Sequence, residues 1–456
     1  MPPRRSPLRK LKESLRSLRD RHEVRRRPSG FGFAFADRVD YLDRSEWDQL
    51  NAAGSLFLRR DVLRVLEEHG PENIEPRYAM IFRDRRPVAL LAAQLVTVTG
   101  AQLAPVPGSG VESPAAGSGQ AGGTGKNAAA VTVRDGDKAT RRRGLLRRAL
   151  APAAQIARAN LRERILVAGN LLSWGFHGIT FAPDEDPAAL WPAVAEALYR
   201  IRRAERLAGQ TDFVMVKDLT AGQGGVERLR EFSYRPLETE PNMVLPLDAS
   251  WRSYDDYLGA LDARYRRNSR EQIKKLGAAG CTVEPLLNLD ADAERLHELY
   301  LAVQRNAPVR LVTLPPSCLP ALARALGADF RCNVVRRGGE ILGFVTSLRD
   351  GPTAIAYYIG FDRAAAAEGL PIYLRLLHST IGDAIGWGCD RLSLGRTALE
   401  PKAALGAKPE RMSVWLRHRV PAMNWMLRGV LGAVPHQEAP ERNPFKAPPA
   451  GPGGSA

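Results

Sequence analysis

Three charged residues that follow one short apolar segment are the first candidates for chemistry in this 456-residue sequence. Arg396, Glu400 and Lys402 stand in the stretch LSLGRTALEPKAALG. A carboxylate can remove a proton from an amine or a hydroxyl, and Arg or Lys can bind a phosphate or a carboxylate. The alternative is that each residue belongs to a surface ion pair. Glu400 could therefore act as a base or orient an acceptor, and the two cations could bind substrate.

A strongly basic stretch, ARYRRNSREQIKKL at 263–276, is the second candidate, because six Lys or Arg accompany a single acid, Glu271. Arg264, Arg267 and Arg270 would suit a phosphorylated donor or acceptor such as CoA, tRNA or a lipid-linked sugar. The alternative is a solvated helix face. We therefore regard these three arginines as substrate-binding candidates.

The apolar segment TAIAYYIGFD supplies two tyrosines and an acid, Tyr357, Tyr358 and Asp362. Each could take part in proton transfer, and each tyrosine could equally be a core residue with a satisfied hydroxyl. We find no Ser-His-Asp spacing and no cluster of metal ligands in the sequence, so no metal is expected. Three histidines are interpreted as structural: His177, His297 and His378.

The distribution of charge argues against a DNA-binding protein, although the formal net charge is +16. Residues 1–28 carry 11 Lys or Arg against 3 Asp or Glu, and residues 101–165 carry 11 against 4, so the rest of the chain is nearly neutral. Four cysteines without a Cys-x-x-Cys pair indicate neither a zinc site nor a disulfide framework.

The N-terminal sequence indicates a cytoplasmic protein with a possible membrane contact. No apolar run of about 18 residues could span a bilayer, and charges interrupt the N-terminus where a secretory signal would be apolar. Leucines at 8, 11, 15 and 18 line one face of a basic amphipathic helix. That helix could lie on the anionic inner face of the membrane, or it could be a solvated or partner-bound arm.

Helix and strand patterns divide the chain into two halves of mixed α and β structure. In each half, helical segments precede a strand hairpin, and sliding the chain by 253 residues superposes IFRDRRPVALLAAQL on VVRRGGEILGFVTSL. The stretch at 107–130 is rich in Gly, Ala and Ser and predicts disorder. The predicted organisation is a basic arm at 1–30, a first domain at 31–248 with a disordered basic insertion at about 105–160, a second domain at 249–432, and a disordered Pro/Gly-rich tail at 433–456.

The order strand, helix, helix, three antiparallel strands, helix, strand in the second half resembles the GNAT acyltransferase fold. YDDYLGALDARYRRNSREQIKKL resembles the opening helix of Fem-type peptidyltransferases and of the acetyltransferases associated with cellulose biosynthesis. The later segment resembles the same group's pattern, here Gly395, Arg396, Glu400, Lys402 and Gly406. The resemblance implies an α+β fold with tandem GNAT-like (acyl-CoA N-acyltransferase) domains, built from mixed, mostly antiparallel sheets flanked by helices.

The resemblance also implies an acyl-CoA co-substrate and no tightly bound cofactor. GNAT members bind the pyrophosphate at a glycine-rich helix start, and here FDRAAAAEGLPIYL offers one glycine, Gly369. Gly369, Leu370 and Tyr357 are therefore the expected cofactor contacts. Fem-type relatives use an aminoacyl-tRNA donor instead, so tRNA is an alternative partner.

The predicted function is that of an acyltransferase, an N-acetyltransferase by the resemblance, which moves an acyl or aminoacyl group from a CoA or tRNA donor to an amine or hydroxyl of a cell-envelope or polysaccharide precursor. The acceptor would be a small molecule or a lipid-linked compound. Glu400, Tyr358 and Asp362 are the expected catalytic residues. The alternative is a non-catalytic GNAT-like scaffold at the membrane surface. The transferase hypothesis requires that the sheet opens near residue 360, so that donor and acceptor meet in the gap. Two late strands paired along their whole length, or a gap filled by side chains, would overturn it.

Overall fold

The structure, a computed structural model, describes residues 27–99, 162–305, 310–421, 423–424, 440 and 442–446. The amphipathic leucine helix and the glycine-rich insertion lie outside the described residues.

Thirteen strands are present in the described part of the chain. They are β1 (Gly32–Ala36), β2 (Ile74–Arg83), β3 (Arg86–Thr99), β4 (Arg162–Ala168), β5 (Ile179–Phe181), β6 (Phe213–Thr220), β7 (Arg235–Pro246), β8 (Cys281–Pro285), β9 (Phe330–Arg337), β10 (Glu340–Asp350), β11 (Thr353–Phe361), β12 (Arg391–Ser393) and β13 (Lys408–His418).

Ten α-helices accompany these strands within the described ranges. They are α1 (Arg44–Leu50), α2 (Arg60–His69), α3 (Pro187–Ala204), α4 (Tyr254–Ala260), α5 (Ala263–Ala278), α6 (Ala293–Gln304), α7 (Cys318–Leu326), α8 (Arg363–Ala367), α9 (Ile372–Gly386) and α10 (Leu399–Ala404). None of them is long and apolar enough to cross a bilayer.

All strands join one continuous sheet, in the order β1-β2-β3-β4-β6-β13-β7-β12-β11-β10-β9-β8, with β5 paired to β3 outside this path. Two neighbouring pairs, β4–β6 and β11–β12, run parallel. The antiparallel pairs are β1–β2, β2–β3, β3–β5, β6–β13, β13–β7, β7–β12, β11–β10, β10–β9 and β9–β8. The predicted α+β class with a mixed, mostly antiparallel sheet and flanking helices is confirmed.

Backbone packing divides the chain into two units. The larger comprises residues 1–97, 164–305 and 312–456, and so includes both predicted halves. The smaller comprises 98–163 and 306–311, most of which lies outside the described residues.

The two long hairpins end in turns of the same type. Asp84 and Arg85 connect β2 to β3, and Gly338 and Gly339 connect β9 to β10, with positive φ at all four residues. Two successive positive φ angles define the type I′ turn, whose twist matches that of the flanking strands. Arg83 pairs with Arg86 and Arg337 with Glu340, so the hairpins correspond with an offset of 254 residues, one more than the sequence alignment indicated.

The predicted single helix after residue 253 is two helices. Ser253 and Asp256 form a reciprocal capping box at the start of α4, and the backbone turns extended at Leu261 before α5 begins. Leu261 is buried in the core and forms a β-bridge with Phe445. Tertiary burial of Leu261 therefore interrupts a segment whose sequence favours one continuous helix.

The last strand of the second half completes the sheet of the first half. β13 lies between β6 and β7, where Trp415 pairs with Val216 on one side and with Pro236 on the other. Trp415 is buried in the same core cluster as Trp191 of α3. The two predicted domains therefore share both a sheet and a core.

Part of the predicted disordered tail is packed against this body. Within residues 442–446, Phe445 contacts Trp251 and Tyr257 with ring centroids 5.7 and 6.1 Å away, and the carbonyl of Pro444 accepts a hydrogen bond from the backbone N–H of Asp262 at 2.8 Å. The expectation of disorder is wrong for these residues.

Candidate functional site

The sheet opens between β11 and β12. These parallel strands pair over three residues only, from Thr353 with Arg391 to Ile355 with Ser393. β12 then ends, whereas β11 continues to Phe361. Past Ile355, one edge of β11 is therefore released from its neighbour on that side.

A bulge in β10 lies opposite the same part of β11. The register shifts between Val345 and Ser347, and the hydroxyl of Thr346 accepts a hydrogen bond from the backbone N–H of Tyr358 at 3.0 Å. A bulge increases local twist and bends the strand. The irregularity therefore favours the divergence of β11 from β12.

A loop from the first half occupies the beginning of this opening. The indole N–H of Trp174 donates to the hydroxyl of Ser393 at 2.9 Å, and a Cβ added at Gly395 would lie 3.2 Å from the indole ring. The Ser393 hydroxyl donates in turn to Asn242 at 3.0 Å. The strands part as expected, but Trp174 fills the gap next to Ser393. Its position could not be inferred from a hairpin or helix pattern.

Tyr357 and Tyr358 belong to an aromatic cluster beside this loop. Tyr357 stacks at an angle against Phe57 and Trp174, with centroids 5.8 and 6.3 Å apart. Tyr358 donates its hydroxyl proton to the carbonyl of Leu172 at 3.2 Å, whereas the hydroxyl of Tyr357 has no partner among the described residues. Burial raises the pKa of both hydroxyls well above the ordinary value, so both keep their protons at neutral pH.

Arg396 is held by a fully buried carboxylate that the sequence analysis did not identify. Asp218 in β6 contacts the side chains of Arg396 and Lys217 and accepts the backbone N–H of Gly175 at 3.1 Å. Burial alone would raise the pKa of Asp218, but the two cations lower it below its ordinary value. The adjacent charges of Lys217 and Asp218 in the apolar strand DFVMVKDL were a signal that could have indicated this cluster.

Glu400 and Lys402 have surroundings different from those of Arg396. The side chain of Glu400 is partly exposed and forms an ion pair with Arg442. Lys402 is only 3% exposed, and burial lowers its pKa to about 7. Lys402 therefore lacks the exposure that a phosphate contact needs.

Asp362 caps a helix. One of its carboxylate oxygens accepts the backbone N–H groups of Ala364 and Ala365 at 2.8 and 3.3 Å, at the start of α8. The other lies 3.7 Å from Arg295. Two N–H groups at the beginning of α8 are therefore already hydrogen-bonded to the Asp362 carboxylate.

The turn between α8 and α9 contains the predicted cofactor contacts Gly369 and Leu370. Gly369 has φ of +82°, and a Cβ added there would lie 3.2 Å from the ammonium nitrogen of Lys275 in α5. Leu370 is largely buried in the core below the turn. α9 follows with Pro371 at its N-cap. The sequence analysis did not identify Lys275 as a neighbour of this turn.

The predicted arginines of α5 are exposed. Arg264, Arg267 and Arg270 form no salt bridge with another described residue, whereas Arg266 donates to the carbonyls of Gly259 and Leu261. On the opposite side of α5, Leu276 is buried in the core. Three arginines therefore remain available to solvent on this helix.

No group of three or more potential metal-ligating side chains occurs among the residues that the structure describes.

Comparison with known protein families finds a match within the second half of the chain. Residues 263–403 match the family model described as "Acetyltransferase (GNAT) domain". A comparison with curated proteins finds no match. Among solved structures, FemX has a TM-score of 0.48 and 11% identity, covering 85% of this chain and 98% of its own.

Two further structures overlap with this chain, one to a similar extent and one over a shorter part. A tandem GNAT protein from the clavulanic acid biosynthesis pathway has a TM-score of 0.45 and 12% identity, covering 86% of this chain and 99% of its own. The C-terminal domain of a putative lysylphosphatidylglycerol synthetase from Agrobacterium fabrum has a TM-score of 0.38 and 12% identity, covering 59% and 82%. The resemblance stated from the sequence is confirmed for the second half: residues 263–403 match the GNAT acetyltransferase domain, a domain of acyltransferases.

Proposed function

We propose that this acyltransferase moves an acyl or aminoacyl group from a CoA thioester or an aminoacyl-tRNA to an amine or hydroxyl of a cell-envelope or polysaccharide precursor. The observation that carries the proposal is the parting of β11 from β12 after Ile355 and Ser393. Backbone N–H groups along a released strand edge can hold the oxygen of an acyl group and stabilise the charge that develops on it.

The α8–α9 turn is the proposed donor site. The N-terminus of a helix attracts anions, and here the long helix α9 begins beside Gly369 and the ammonium group of Lys275. Arg264, Arg267 and Arg270 extend the positive charge along α5. A donor with several phosphates, as CoA and tRNA both have, would meet this charge.

Tyr358 is the proposed proton donor to the leaving group. Burial raises the pKa of its hydroxyl, so the hydroxyl is protonated at neutral pH and cannot act as a base, and it can give up its proton only to a strongly basic leaving group after releasing the carbonyl of Leu172. Glu400 could act as the base only after leaving Arg442, and Asp362 only after leaving the start of α8. We therefore assign the base to neither carboxylate in the conformation described.

A non-catalytic scaffold is the second candidate, and Trp174 is the observation that favours it. Its indole fills the gap beside Ser393, where a transferase would need space for the acyl chain. Under the transferase proposal, the acyl group would lie farther along β11, towards Phe361, or Trp174 would move.

Binding of the donor separates the two candidates. Purified protein would be titrated with acetyl-CoA, with free CoA and with aminoacyl-tRNA, while thermal unfolding and equilibrium affinity are measured. A donor at about 100 times its dissociation constant should stabilise the fold by about 2.7 kcal/mol. Transfer of a labelled acyl group to an amine acceptor would then be measured with whichever donor binds.

A matched pair of lysines on α5 tests the donor site itself. Lys275→Ala should weaken binding about fivefold, because one exposed charge-assisted contact contributes about 1 kcal/mol. Lys274→Ala removes an equally exposed charge from the neighbouring position and should leave the affinity unchanged. Equal effects of the two substitutions would contradict the proposed site, and no binding of any donor would favour the scaffold.

A further inference from the structure

Three side chains from distant parts of the sequence meet on the wall of a cavity. Ser55 precedes the 3₁₀ turn Leu56–Leu58, His177 ends the loop that carries Trp174, and Asp350 ends β10. The hydroxyl oxygen of Ser55 lies 2.7 Å from Nδ1 of His177 and 3.1 Å from Oδ2 of Asp350. Nδ1 of His177 lies 3.6 Å from the same carboxylate oxygen.

The contacts of His177 determine which ring nitrogen carries the proton. Nε2 lies 2.9 Å from the backbone carbonyl of Trp174, which can only accept a hydrogen bond, so Nε2 holds the proton. Nδ1 then carries a lone pair that faces the Ser55 hydroxyl at 2.7 Å. The one proton of that hydroxyl has two possible acceptors, Nδ1 of His177 and Oδ2 of Asp350 at 3.1 Å, and Nδ1 is the nearer of them. Burial lowers the pKa of His177 below its ordinary value, although Asp350 acts in the opposite direction. The imidazole is therefore neutral and can accept the serine proton.

Asp350 is held in place to stabilise the imidazolium that such a transfer creates. Its Oδ1 accepts the backbone N–H of Leu56 at 2.6 Å, which leaves Oδ2 facing Ser55 and His177. The Ser55 oxygen also accepts the backbone N–H of Phe57 at 3.2 Å. The nucleophile, base and carboxylate are thus fixed by the protein before any ligand binds.

The cavity is large and its walls are charged. It has a volume of about 1180 Å³, and Ser55, His177 and Asp350 all line it. Five arginines and three further aspartates complete much of the wall: Arg44, Arg59, Arg60, Arg64, Arg349, Asp48, Asp61 and Asp329. Leu56, Phe176 and Trp387 supply an apolar part of the wall. Because charged side chains make up much of the rest, we expect a short polar acyl group to be solvated better there than a long alkyl chain.

We propose that Ser55 is a second acyl acceptor of this protein, activated by His177 and Asp350, for esters or thioesters of short polar acyl groups. The Ser55 oxygen attacks the carbonyl carbon and forms the new O–C bond, and its proton passes to Nδ1 of His177. The bond from the carbonyl carbon to the leaving oxygen or sulfur then breaks, and the leaving group takes the proton from His177. The acyl group remains as an ester on Ser55.

This site is independent of the proposed donor site, because neither Lys275 nor the α8–α9 turn belongs to the cavity lining. Its chemistry can therefore be tested without CoA or tRNA.

A fluorophosphonate probe, which reacts with activated serines, tests the nucleophile directly. Intact-mass and peptide analysis of the full chain should show one phosphonyl adduct, located at Ser55 and absent from Ser55→Ala. Ser45 is a matched control, since its hydroxyl also donates to a carboxylate, Asp43, at 2.7 Å but has no histidine partner. Ser45→Ala should label at the wild-type rate.

The base and the acyl class need separate measurements. His177→Gln should slow labelling at Ser55 at least tenfold while the folded protein retains its circular dichroism spectrum. Incubation with p-nitrophenyl acetate should release a burst of about one equivalent of nitrophenol and acetylate Ser55, whereas p-nitrophenyl octanoate should react at least tenfold more slowly. No adduct at Ser55, labelling no faster than at Ser45, or an unchanged rate in His177→Gln would overturn the proposal.

Discussion

His378 should make the stability of this protein fall steeply as the pH is lowered from 7 to 5. The side chain is 2% exposed in α9, and the hydroxyl of Tyr254 lies 2.8 Å from its Nδ1. Arg375 donates to the same tyrosine oxygen at 3.3 Å, so the tyrosine proton is directed at the histidine. Burial lowers the pKa of His378 to about 3, and the charge of Arg375 acts in the same direction.

The sign and size of the effect follow from proton linkage. Above the ordinary histidine pKa of about 6.5, neither the folded nor the unfolded chain protonates this residue. Below that value the unfolded chain binds a proton that the folded chain excludes down to about pH 3, so stability is lost as the pH falls. One such group changes the free energy of unfolding by about 1.36 kcal/mol per pH unit, which amounts to about 2 kcal/mol between pH 6.5 and pH 5.

Urea unfolding of the wild type and of His378→Asn at pH 7 and pH 5 measures this contribution. Asparagine is chosen because its amide oxygen can still accept the tyrosine proton. Wild-type protein should lose about 2 kcal/mol more stability than the variant between the two pH values. Tyr254→Phe is the control, because it removes about 1 kcal/mol of hydrogen bonding but keeps His378 buried, and its pH dependence should match the wild type. If His378→Asn and the wild type lose the same stability on acidification, the reasoning is refuted.

Two further substitutions test the fold. Arg85→Gly should raise the free energy of unfolding, measured in urea, by about 1 kcal/mol. Arg85 has φ of +66° in a type I′ turn, a conformation that glycine adopts without strain. A loss of stability would contradict the assignment of the turn. Asp218→Asn should lower stability by about 3 to 5 kcal/mol, since it leaves the buried Lys217 without its counter-charge. Asp184→Asn, at an exposed pair with Arg86, should have no measurable effect, and equal losses at both aspartates would refute a special role for Asp218.

Much of the local structure could be predicted from the sequence, because it depends on near neighbours in the chain. The β9–β10 hairpin follows from two apolar strands around Gly338 and Gly339, and the helix after Pro371 follows from its apolar period. The resemblance to the GNAT fold rests on the same local order of elements. The break at Leu261 was missed because Leu261 is buried in the core and bridges to Phe445, contacts that come from distant parts of the chain.

The functional site could be predicted from the sequence less completely than the local structure, because its residues acquire their neighbours through the fold. The charge and exposure of the α5 arginines followed from composition alone. The capping role of Asp362, the burial of Lys402 and the ion pair of Glu400 depend on where each backbone segment ends, which side-chain type does not indicate. His177 was interpreted as structural because its partners, Ser55 and Asp350, lie 122 residues before it and 173 after it in the sequence.

The sequence by itself determined the α+β class, the positions of the main hairpins and helices, and the similarity of the second half to acetyltransferases. Tertiary structure alone decided that β13 enters the sheet of the first half and that Trp174 lies in the opening beside Ser393. The physical reason is that periodicity and turn preferences act over a few residues. Strand order and the meeting of side chains depend instead on which sheet edges and apolar surfaces are buried together, and these come from segments far apart in the chain.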